Sequence, residues 1–275
     1  MQYCQRATRS SPANTSTNSW HKNAFGGPVA QRERTSRAHG QGVHPPRSCS
    51  KPIGRNNSIV EIDHVFMLTD PQGDDIERFE SLGITETYRR QHPGQGTQNA
   101  CFCFDNMFIE LLWINRVEDA RSEKIARTKL FERSRWRADG TNPFGIAWRG
   151  SPDAAEPSIS TWKFCPPYLP ETIGIEVAVD SDDPRQPMMF KSPGSMPPAD
   201  WPIEKKGTLQ QAGGWGQVLG IELFLPHSAT PSPALRSIAA RTILRLRVAS
   251  NDQFQMNLHI DKHGLAQPSV LRLPA

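Results

Sequence analysis

One run of sequence decides the fold of this chain: residues 59–68, which read IVEIDHVFML. The run is rich in residues that favour strands, and its side chains are predicted to point alternately to the two faces of a β-strand. This alternation puts His64, Phe66 and Leu68 on one face and the intervening residues on the other. The imidazole of His64 is therefore predicted to share its face with an aromatic ring.

The residues after this strand continue the pattern into a complete unit. Asp70-Pro71 is predicted to begin a helix, because Asp caps helices and Pro is favoured in their first turn, and Gly83 is predicted to end it. Strand-like runs follow at 85–90, 99–104 and 107–113. The order strand, helix, strand, strand, strand is a βαβββ unit.

Similar orders of elements recur further along the chain. A second unit is predicted over about 142–191, with a short helical start at 152–155, and a third over about 217–275, with a helix capped at Ser232-Pro233. A polar, mostly helical segment at 117–137 separates the first two units, and a long loop at 192–216 precedes the third. The chain is therefore predicted to be an α+β protein built from repeated βαβββ-type modules. The first module spans about 59–115, and the three together form one domain over 59–275.

The first 58 residues differ from the rest in composition. They contain no Leu, and they hold nine Lys and Arg against one acidic residue, so we predict a disordered basic tail. Three interpretations compete. A transit peptide fits the composition, but Gly26-Gly27-Pro28 and Pro45-Pro46 argue against its amphipathic helix. The others are a basic arm, whose charges are scattered rather than clustered, and an artefact of a start site placed too far upstream. The remaining residues hold 23 basic and 27 acidic side chains of the 32 and 28 in the whole chain. Net basic charge is therefore no argument for nucleic-acid binding by the folded part, and no such partner is expected.

Cysteine usage and hydropathy bear on the compartment. The five cysteines show no paired framework and no CxxC motif, which is typical of reduced thiols in a cytosol. No apolar run reaches the roughly 18 residues that span a bilayer, and no signal-peptide core precedes the domain. We therefore expect a cytoplasmic protein with no membrane partner.

The first unit carries several short motifs that support a family resemblance. They are Asp63-His64-Val65, Asp70-Pro71, Leu82-Gly83, the run from His92 to Asn99 (HPGQGTQN), and Ile109-Glu110-Leu111. With these motifs the unit resembles the glyoxalase-like branch of the vicinal oxygen chelate superfamily, which also includes bleomycin resistance and dihydroxybiphenyl dioxygenase-like proteins. The resemblance implies that βαβββ modules pair into a cupped mixed sheet, which surrounds a divalent metal and a substrate oxygen. Because modules of this superfamily often pair between chains, it also allows a homodimer.

The same resemblance implies a ligand set for the metal. His64 and Glu110 match the first-module ligands by position, an imidazole and a carboxylate that would hold a Lewis-acidic cation. Glu110 is also predicted to be catalytic, since a carboxylate between large apolar neighbours is costly to bury without a partner. The alternative is that His64 and Glu110 only hydrogen-bond to each other or to a Thr. The second module offers only Gly145–Ile146 and Met188–Phe190 at the corresponding positions.

A rival register would complete the ligand set from elsewhere. It pairs Glu176 with Glu222, whose spacing equals that of His64 and Glu110, but 181–216 lacks the helical period that this register needs. Two interpretations of the site therefore stay open: the cup binds a divalent metal, or the cup has lost its ligands and binds no metal.

Other side chains are candidates for binding and catalysis. His92 is predicted in a loop, as a general acid/base, a substrate hydrogen bonder or a structural residue. Cys101 and Cys103 alternate with phenylalanines and are interpreted as core or cup lining. Four further residues are predicted to contact the substrate: Asn99, Trp113, Trp148 and Arg149. Arg149 would suit an anionic carboxylate or enolate.

Two functions follow, and the sequence does not decide whether the protein is an enzyme. The first is a metal-assisted lyase, isomerase or dioxygenase acting on a small oxygenated metabolite. The second is a metal-free small-molecule-binding or resistance-type protein. Both predict a small-molecule ligand.

Overall fold

The computed structural model of the chain describes residues 60–71, 74–150 and 157–274. The tail predicted over 1–58 and the helical start predicted at 152–155 lie outside the described residues. The α+β class is confirmed, since short helices accompany two separate mixed sheets.

The larger sheet contains eight strands in the order β2-β3-β4-β1-β5-β8-β7-β6. In chain order they are β1 (Glu61–Leu68), β2 (Tyr88–His92), β3 (Thr97–Cys103), β4 (Phe108–Ile114), β5 (Phe144–Arg149), β6 (Thr161–Phe164), β7 (Ile175–Ala178) and β8 (Met188–Lys191). Each half places its first strand parallel to its last, β1 with β4 and β5 with β8. Antiparallel pairing of β1 with β5 joins the two halves within one chain. β6 had no counterpart among the predicted strands.

The smaller sheet has four strands in the order β10-β9-β11-β12. They are β9 (Trp215–Leu225), β10 (Leu244–Val248), β11 (Gln255–Lys262) and β12 (Ser269–Leu273). The predicted element order is present, but its pairing differs from that of the first module, because β9 lies parallel to β10, the strand that follows its helix, rather than to β12. The third unit therefore repeats the sequence of elements without repeating the topology.

Seven short helices connect the strands of the described residues. They are α1 (Asp75–Ser81), α2 (Val117–Ala120), α3 (Glu123–Ala126), α4 (Leu130–Ser134), α5 (Trp136–Asp139), α6 (Ile203–Lys206) and α7 (Pro233–Arg241). The predicted cap of α7 is confirmed, since the Ser232 hydroxyl accepts from the backbone N–H of Leu235 at 3.2 Å. The predicted start of α1 at Asp70-Pro71 is wrong, because the helix begins at Asp75. None of these helices has the length and apolar character needed to cross a bilayer.

Alternating side chains give the larger sheet two faces with different partners. On the first face, which we call the cup face, lie His64 and Phe66 of β1 and Glu110 of β4. The opposite face, which includes Val65, packs in one apolar cluster with α1, α7 and the smaller sheet. The predicted alternation along β1 is therefore confirmed from His64 to Leu68.

Candidate functional site

The imidazole of His64 lies on the cup face with a carboxylate beside it. The β1–β5 register shifts between Ile62 and His64, so that Asp63 is an extra residue with no partner on β5. A bulge of this kind re-aims a side chain that simple alternation would send to the other face. His64 Nδ1 lies 2.8 Å from Asp63 Oδ2, and both residues are buried.

Asp63 is held as an anion by its neighbours. Burial by itself would raise the pKa of this carboxyl, but the hydrogen bond and charge of His64, the charge of Arg149 and a hydrogen bond with Ser192 together lower it below its usual value. Arg149 Nη1 donates to Asp63 Oδ1 at 3.1 Å. Since an ionised carboxylate only accepts hydrogen bonds, His64 Nδ1 donates to it, and Nε2 is left to face the cup.

The second carboxylate of the cup faces that free nitrogen. Glu110 Oε2 lies 3.7 Å from His64 Nε2, while Glu110 Oε1 accepts from the Asn99 side-chain amide at 2.6 Å. The first separation is longer than a hydrogen bond. A buried chain Arg149–Asp63–His64–Glu110–Asn99 therefore crosses the cup, and it has one open gap in its middle. We call these five residues the polar chain.

Apolar rings surround the polar chain. The ring of His64 stacks on Phe108 at 4.4 Å between centroids, and Phe190 approaches its edge at 5.4 Å. His64 and Glu110 are each 8% exposed, so the gap is nearly closed to bulk water. Electrostatic interactions at the gap are consequently stronger than they would be at an open surface.

His92 is the last residue of β2 rather than a loop residue, and it is buried. Its Nδ1 lies 2.8 Å from the Thr97 hydroxyl, which also accepts from the Gln95 amide. Burial lowers the pKa of His92 to about 4, with Glu110 opposing this shift and Arg90 adding to it. The ring therefore stays neutral at physiological pH.

Three of the predicted substrate contacts have other partners in the structure. Trp113 and Trp148 pack in the apolar cluster on the face opposite the cup. Trp113 is three residues after Glu110 on β4, and Trp148 directly follows the cup-side Ala147 on β5, so strand alternation points both rings away from the cup. Their predicted contact with a ligand in the cup is therefore corrected to core packing. Arg149 is on the cup side, but its guanidinium is used by Glu61, Asp63 and the Asn106 carbonyl. Its contribution to the site is to hold Asp63.

The residues present do not fit the four-ligand metal site that the resemblance implies. On β5 the position opposite Phe66 is Gly145, and a Cβ there would lie 2.0 Å from the Phe66 ring. The phenylalanine thus fills the space that a β5 ligand would need. On β8 the buried cup-side residues are Met188 and Phe190, which offer no carboxylate. Among the described residues no group of three His, Cys, Asp or Glu side chains is placed to hold a metal ion.

The rival register does not supply the missing ligands either. Glu176 is an exposed residue of β7 in the larger sheet, whereas Glu222 lies on β9 in the smaller one. Glu222 forms ion pairs with Arg247 at 2.9 Å and His259 at 3.0 Å. This alternative is therefore wrong.

The buried thiols complete one wall of the cup. Cys101 and Cys103 cluster with Phe108 and Leu209, as the lining interpretation requires. Burial raises the pKa of Cys103 to about 12 and raises that of Cys101 well above its usual value. Both therefore remain thiols at physiological pH, and neither is a nucleophile.

The sequence reasoning missed two residues that shape the site. Asp63 stands beside His64 in the motif, but strand alternation alone places it on the wrong face. Tyr168, whose ring lies 4.5 Å from that of His92 and whose pKa is raised by burial and by Glu110, comes from a turn distant in sequence. The Pro166-Pro167 pair just before Tyr168 indicates a turn, but it does not indicate which strands that turn lies against.

Comparisons with known proteins agree with this geometry at the level of the family. The model of the family described as "Glyoxalase-like domain" matches residues 62–158, from β1 through β5. A hypothetical protein from Staphylococcus aureus is similar in structure at 12% identity, over 78% of this chain and 98% of that one, with a TM-score of 0.42. Methylmalonyl-CoA epimerase from Mycobacterium tuberculosis is similar at 12% identity, over 50% of this chain and 91% of that one, with a TM-score of 0.29.

Both structural likenesses are too distant to carry an argument about function. None of the curated proteins matches the chain. The family match covers the strands that carry His64, Asn99 and Glu110, and the pairing of β1 with β4 agrees with a βαβββ module. Residues 62–158 of the chain therefore form a glyoxalase-like domain.

Proposed function

We propose that the cup binds a small oxygenated molecule and that His64 and Glu110 move a proton on it without the four-ligand metal of the superfamily. The observation that carries this proposal is the 3.7 Å gap between His64 Nε2 and Glu110 Oε2. Each atom is aimed by a second hydrogen bond, from His64 to Asp63 and from Asn99 to Glu110. Because the two aimed groups are not hydrogen-bonded to each other, both are free to contact one polar group of a ligand that lies beside them.

The proton transfer can be written in terms of the residues of the polar chain. His64 acts as the acid when Nε2 carries a proton in addition to the one that Nδ1 donates to Asp63, and Glu110 acts as the base. Glu110 removes a proton from a carbon next to a carbonyl, the electron pair moves onto the carbonyl oxygen, and His64 donates a proton to that oxygen. If the substrate is a 2-hydroxy ketone, delivery of that proton to the former carbonyl carbon, with the other enediol hydroxyl giving its proton to His64, yields an isomer. If the next carbon bears a leaving group, the enol returns its proton to His64 as the carbonyl re-forms and the leaving group departs with its electron pair, which yields a lyase product. Asp63 stabilises the charged form of His64, as a carboxylate does in other histidine-based sites.

His92 and the apolar walls would assist this chemistry. The neutral ring of His92 can donate or accept a hydrogen bond, but it carries no charge that would compete with Glu110. The rings of Phe66, Phe108 and Phe190 exclude water, which strengthens the interactions of the polar chain with a bound oxygen.

A second candidate function is binding without turnover, as in a resistance-type protein. The observation that favours it is the filling of the second-module half of the cup by Phe66 and Phe190. A cup with one polar half suits a ligand that is held on one side and packed against rings on the other. The metal-assisted lyase, isomerase or dioxygenase of the sequence analysis needs ligands that the described part of the second module does not supply.

Hydrogen exchange separates these candidates. The full-length protein is incubated in D₂O and EDTA with a panel of small 2-oxo acids and 2-hydroxy ketones, and NMR follows the loss of the signal of the proton on the carbon next to the carbonyl. Proton transfer predicts exchange that persists in EDTA and disappears in Glu110→Gln. Glu176→Gln, which alters an exposed strand glutamate, is the matched control and should exchange as the wild type does.

Other results would contradict the proposal. Ligand binding without exchange favours the binding-only function. Exchange that stops in EDTA and returns with a divalent cation favours the metal-assisted one.

A further inference from the structure

We infer that the loop between β6 and β7, residues 165–174, opens to let small molecules reach the cup, and that the ring of Tyr168 holds it closed. We call this loop the gate loop. The inference rests on the proposed function only in taking the cup as the ligand site. It goes further by naming the segment that has to move before a ligand enters.

The polar side chains of the cup are covered in the structure. His64, Asn99 and Glu110 are buried, and His92 is 6% exposed. A small molecule reaches side chains covered to this extent only after one of the segments above them moves. The question is which segment is held most weakly.

The gate loop meets the first half of the larger sheet from the opposite edge. β2 and β6 are the two edge strands, yet the ring of Tyr168 lies 4.5 Å from that of His92, the last residue of β2. In a flat sheet these edges would be about 34 Å apart, at seven spacings of about 4.8 Å, while the four residues that follow β6 up to Tyr168 reach at most about 14 Å. The sheet is therefore curled, and the gate loop closes the cup between its two edges.

Apolar contacts join the gate loop to the cup. Besides the ring of Tyr168, Pro167 lies directly on the β2–β3 turn, because a Cβ added to Gly94 would be 2.8 Å from the proline Cβ. Leu169 is partly buried and packs on the apolar cluster of the cup face. Among the described residues, no hydrogen bond joins the gate loop to the first half of the sheet.

A second segment, just before α6, also covers the cup, but hydrogen bonds tie it down. Its Trp201 packs against the cluster of the buried thiols. The backbone N–H of Ala199 donates to the Asp105 carbonyl at 2.9 Å. Further along, the Gln210 side chain accepts from the Thr85 N–H at 2.8 Å and donates to the Thr85 carbonyl at 2.9 Å. Local opening takes place where few contacts hold a segment, so the gate loop opens more readily than this one.

The contact between Tyr168 and His92 is one between uncharged rings. Burial lowers the pKa of His92 to about 4, and burial together with the charge of Glu110 raises the pKa of Tyr168. The Tyr168 hydroxyl has no hydrogen-bond partner among the described residues, so the ring rather than the hydroxyl holds the loop. His92 uses Nδ1 for the Thr97 hydroxyl at 2.8 Å, which leaves Nε2 as the nitrogen that an entering reagent can attack.

Modification of His92 by diethyl pyrocarbonate at pH 7 measures opening of the gate loop in the full-length protein, because this reagent acylates neutral imidazoles. Mass spectrometry compares its rate with that of His227, which is exposed. Tyr168→Ala should speed the modification of His92 at least about tenfold, whereas Tyr168→Phe, which keeps the ring, should stay within about twofold of wild type. Trp201→Ala is the matched control, since it removes a ring from the segment that hydrogen bonds hold, and it should also stay within about twofold.

A rate at His92 that Tyr168→Ala leaves unchanged would overturn the inference, and so would an equal rise in Trp201→Ala. Circular dichroism verifies that each variant is folded. If Tyr168→Ala is not, Leu169→Ala decides, with an expected rise of about threefold or more. These measurements use no ligand, so they can fail while the hydrogen exchange of the proposed function is observed. Hydrogen exchange can likewise be absent while the gate loop behaves as expected.

Discussion

Replacing Asp63 with Asn tests whether the polar chain is held together by this buried carboxylate. Asp63 is 4% exposed and accepts from His64 at 2.8 Å and from Arg149 at 3.1 Å. The amide keeps the volume and one oxygen, so Arg149 can still donate to it. Its NH₂ group, however, faces the Nδ1–H of His64, and that hydrogen bond is lost unless the imidazole changes tautomer.

The expected cost follows from these contacts. Loss of a buried hydrogen bond between charged partners costs about 1.5–3 kcal/mol. Arg149 keeps its ion pair with Glu61 at 2.7 Å, so the variant does not reach the roughly 3–5 kcal/mol of a fully orphaned buried charge. We therefore expect Asp63→Asn to lower the free energy of unfolding by about 2–3 kcal/mol, or the melting temperature by roughly 4–12 °C.

Urea denaturation followed by circular dichroism measures this change, with Asp139→Asn as a surface control. Asp139 is exposed and pairs with Arg135 at 3.3 Å, so its replacement should change stability by less than about 0.5 kcal/mol. The fold lowers the pKa of Asp63 below its usual 3.8. The stability that the ionised carboxylate contributes is therefore fully present above pH 3.8 and is lost as the pH falls through the lowered pKa. The difference between wild type and Asp63→Asn should therefore shrink only in strong acid.

Two results would refute the reasoning. An Asp63→Asn variant as stable as wild type at pH 7 would mean that the carboxylate does not hold His64. If the double variant Asp63→Asn/Arg149→Met lost as much unfolding free energy as the two single variants combined, the two side chains would not be coupled.

Three further predictions concern the metal, a buried cation and the second histidine. Millimolar Mn²⁺ or Zn²⁺ should not raise the melting temperature of wild type. If a site existed, metal at a hundred times its dissociation constant would stabilise the folded protein by about 2.7 kcal/mol. A rise in melting temperature that is lost in Glu110→Gln and kept in Glu176→Gln would support the metal-bound interpretation. Arg133 is fully buried and donates to five backbone carbonyls, so Arg133→Met should cost about 3–5 kcal/mol in urea denaturation, and the exposed Arg135→Met less than 1 kcal/mol. The pKa of His92 is lowered from 6.5 to about 4, because the buried ring is neutral. As pH falls from 6.5 to 4, the free energy of unfolding of wild type should therefore fall by up to about 3 kcal/mol relative to that of His92→Gln. If both proteins lose stability equally over this range, His92 is not buried as a neutral ring.

Local sequence patterns were sufficient to predict the class of fold and the polar centre of the cup. The alternation along β1 assigned His64 and Phe66 to one face, and the run of apolar residues around Glu110 identified a buried carboxylate. Ser232-Pro233 predicted the start of α7. These features are determined by neighbours within a few residues, because strand alternation and helix capping depend on local backbone geometry.

Pairing between distant strands decided the rest. The order strand, helix, strand, strand, strand is common to the first and third units, yet β1 pairs with the last strand of its unit and β9 with the strand after its helix. Element order does not specify which strands become neighbours. The third unit therefore forms a separate sheet, a result that periodicity alone does not predict.

The composition of the site depended on the same long-range geometry. The sequence by itself determined that His64 and Glu110 share a buried face and that the second module lacks carboxylates at the matching positions. Only the tertiary structure decided that a one-residue bulge turns Asp63 toward His64, and that the Phe66 ring fills the space above Gly145. The physical reason is that a bulge and a ring contact both arise between β1 and β5, which are far apart in sequence and become neighbours only when the sheet forms.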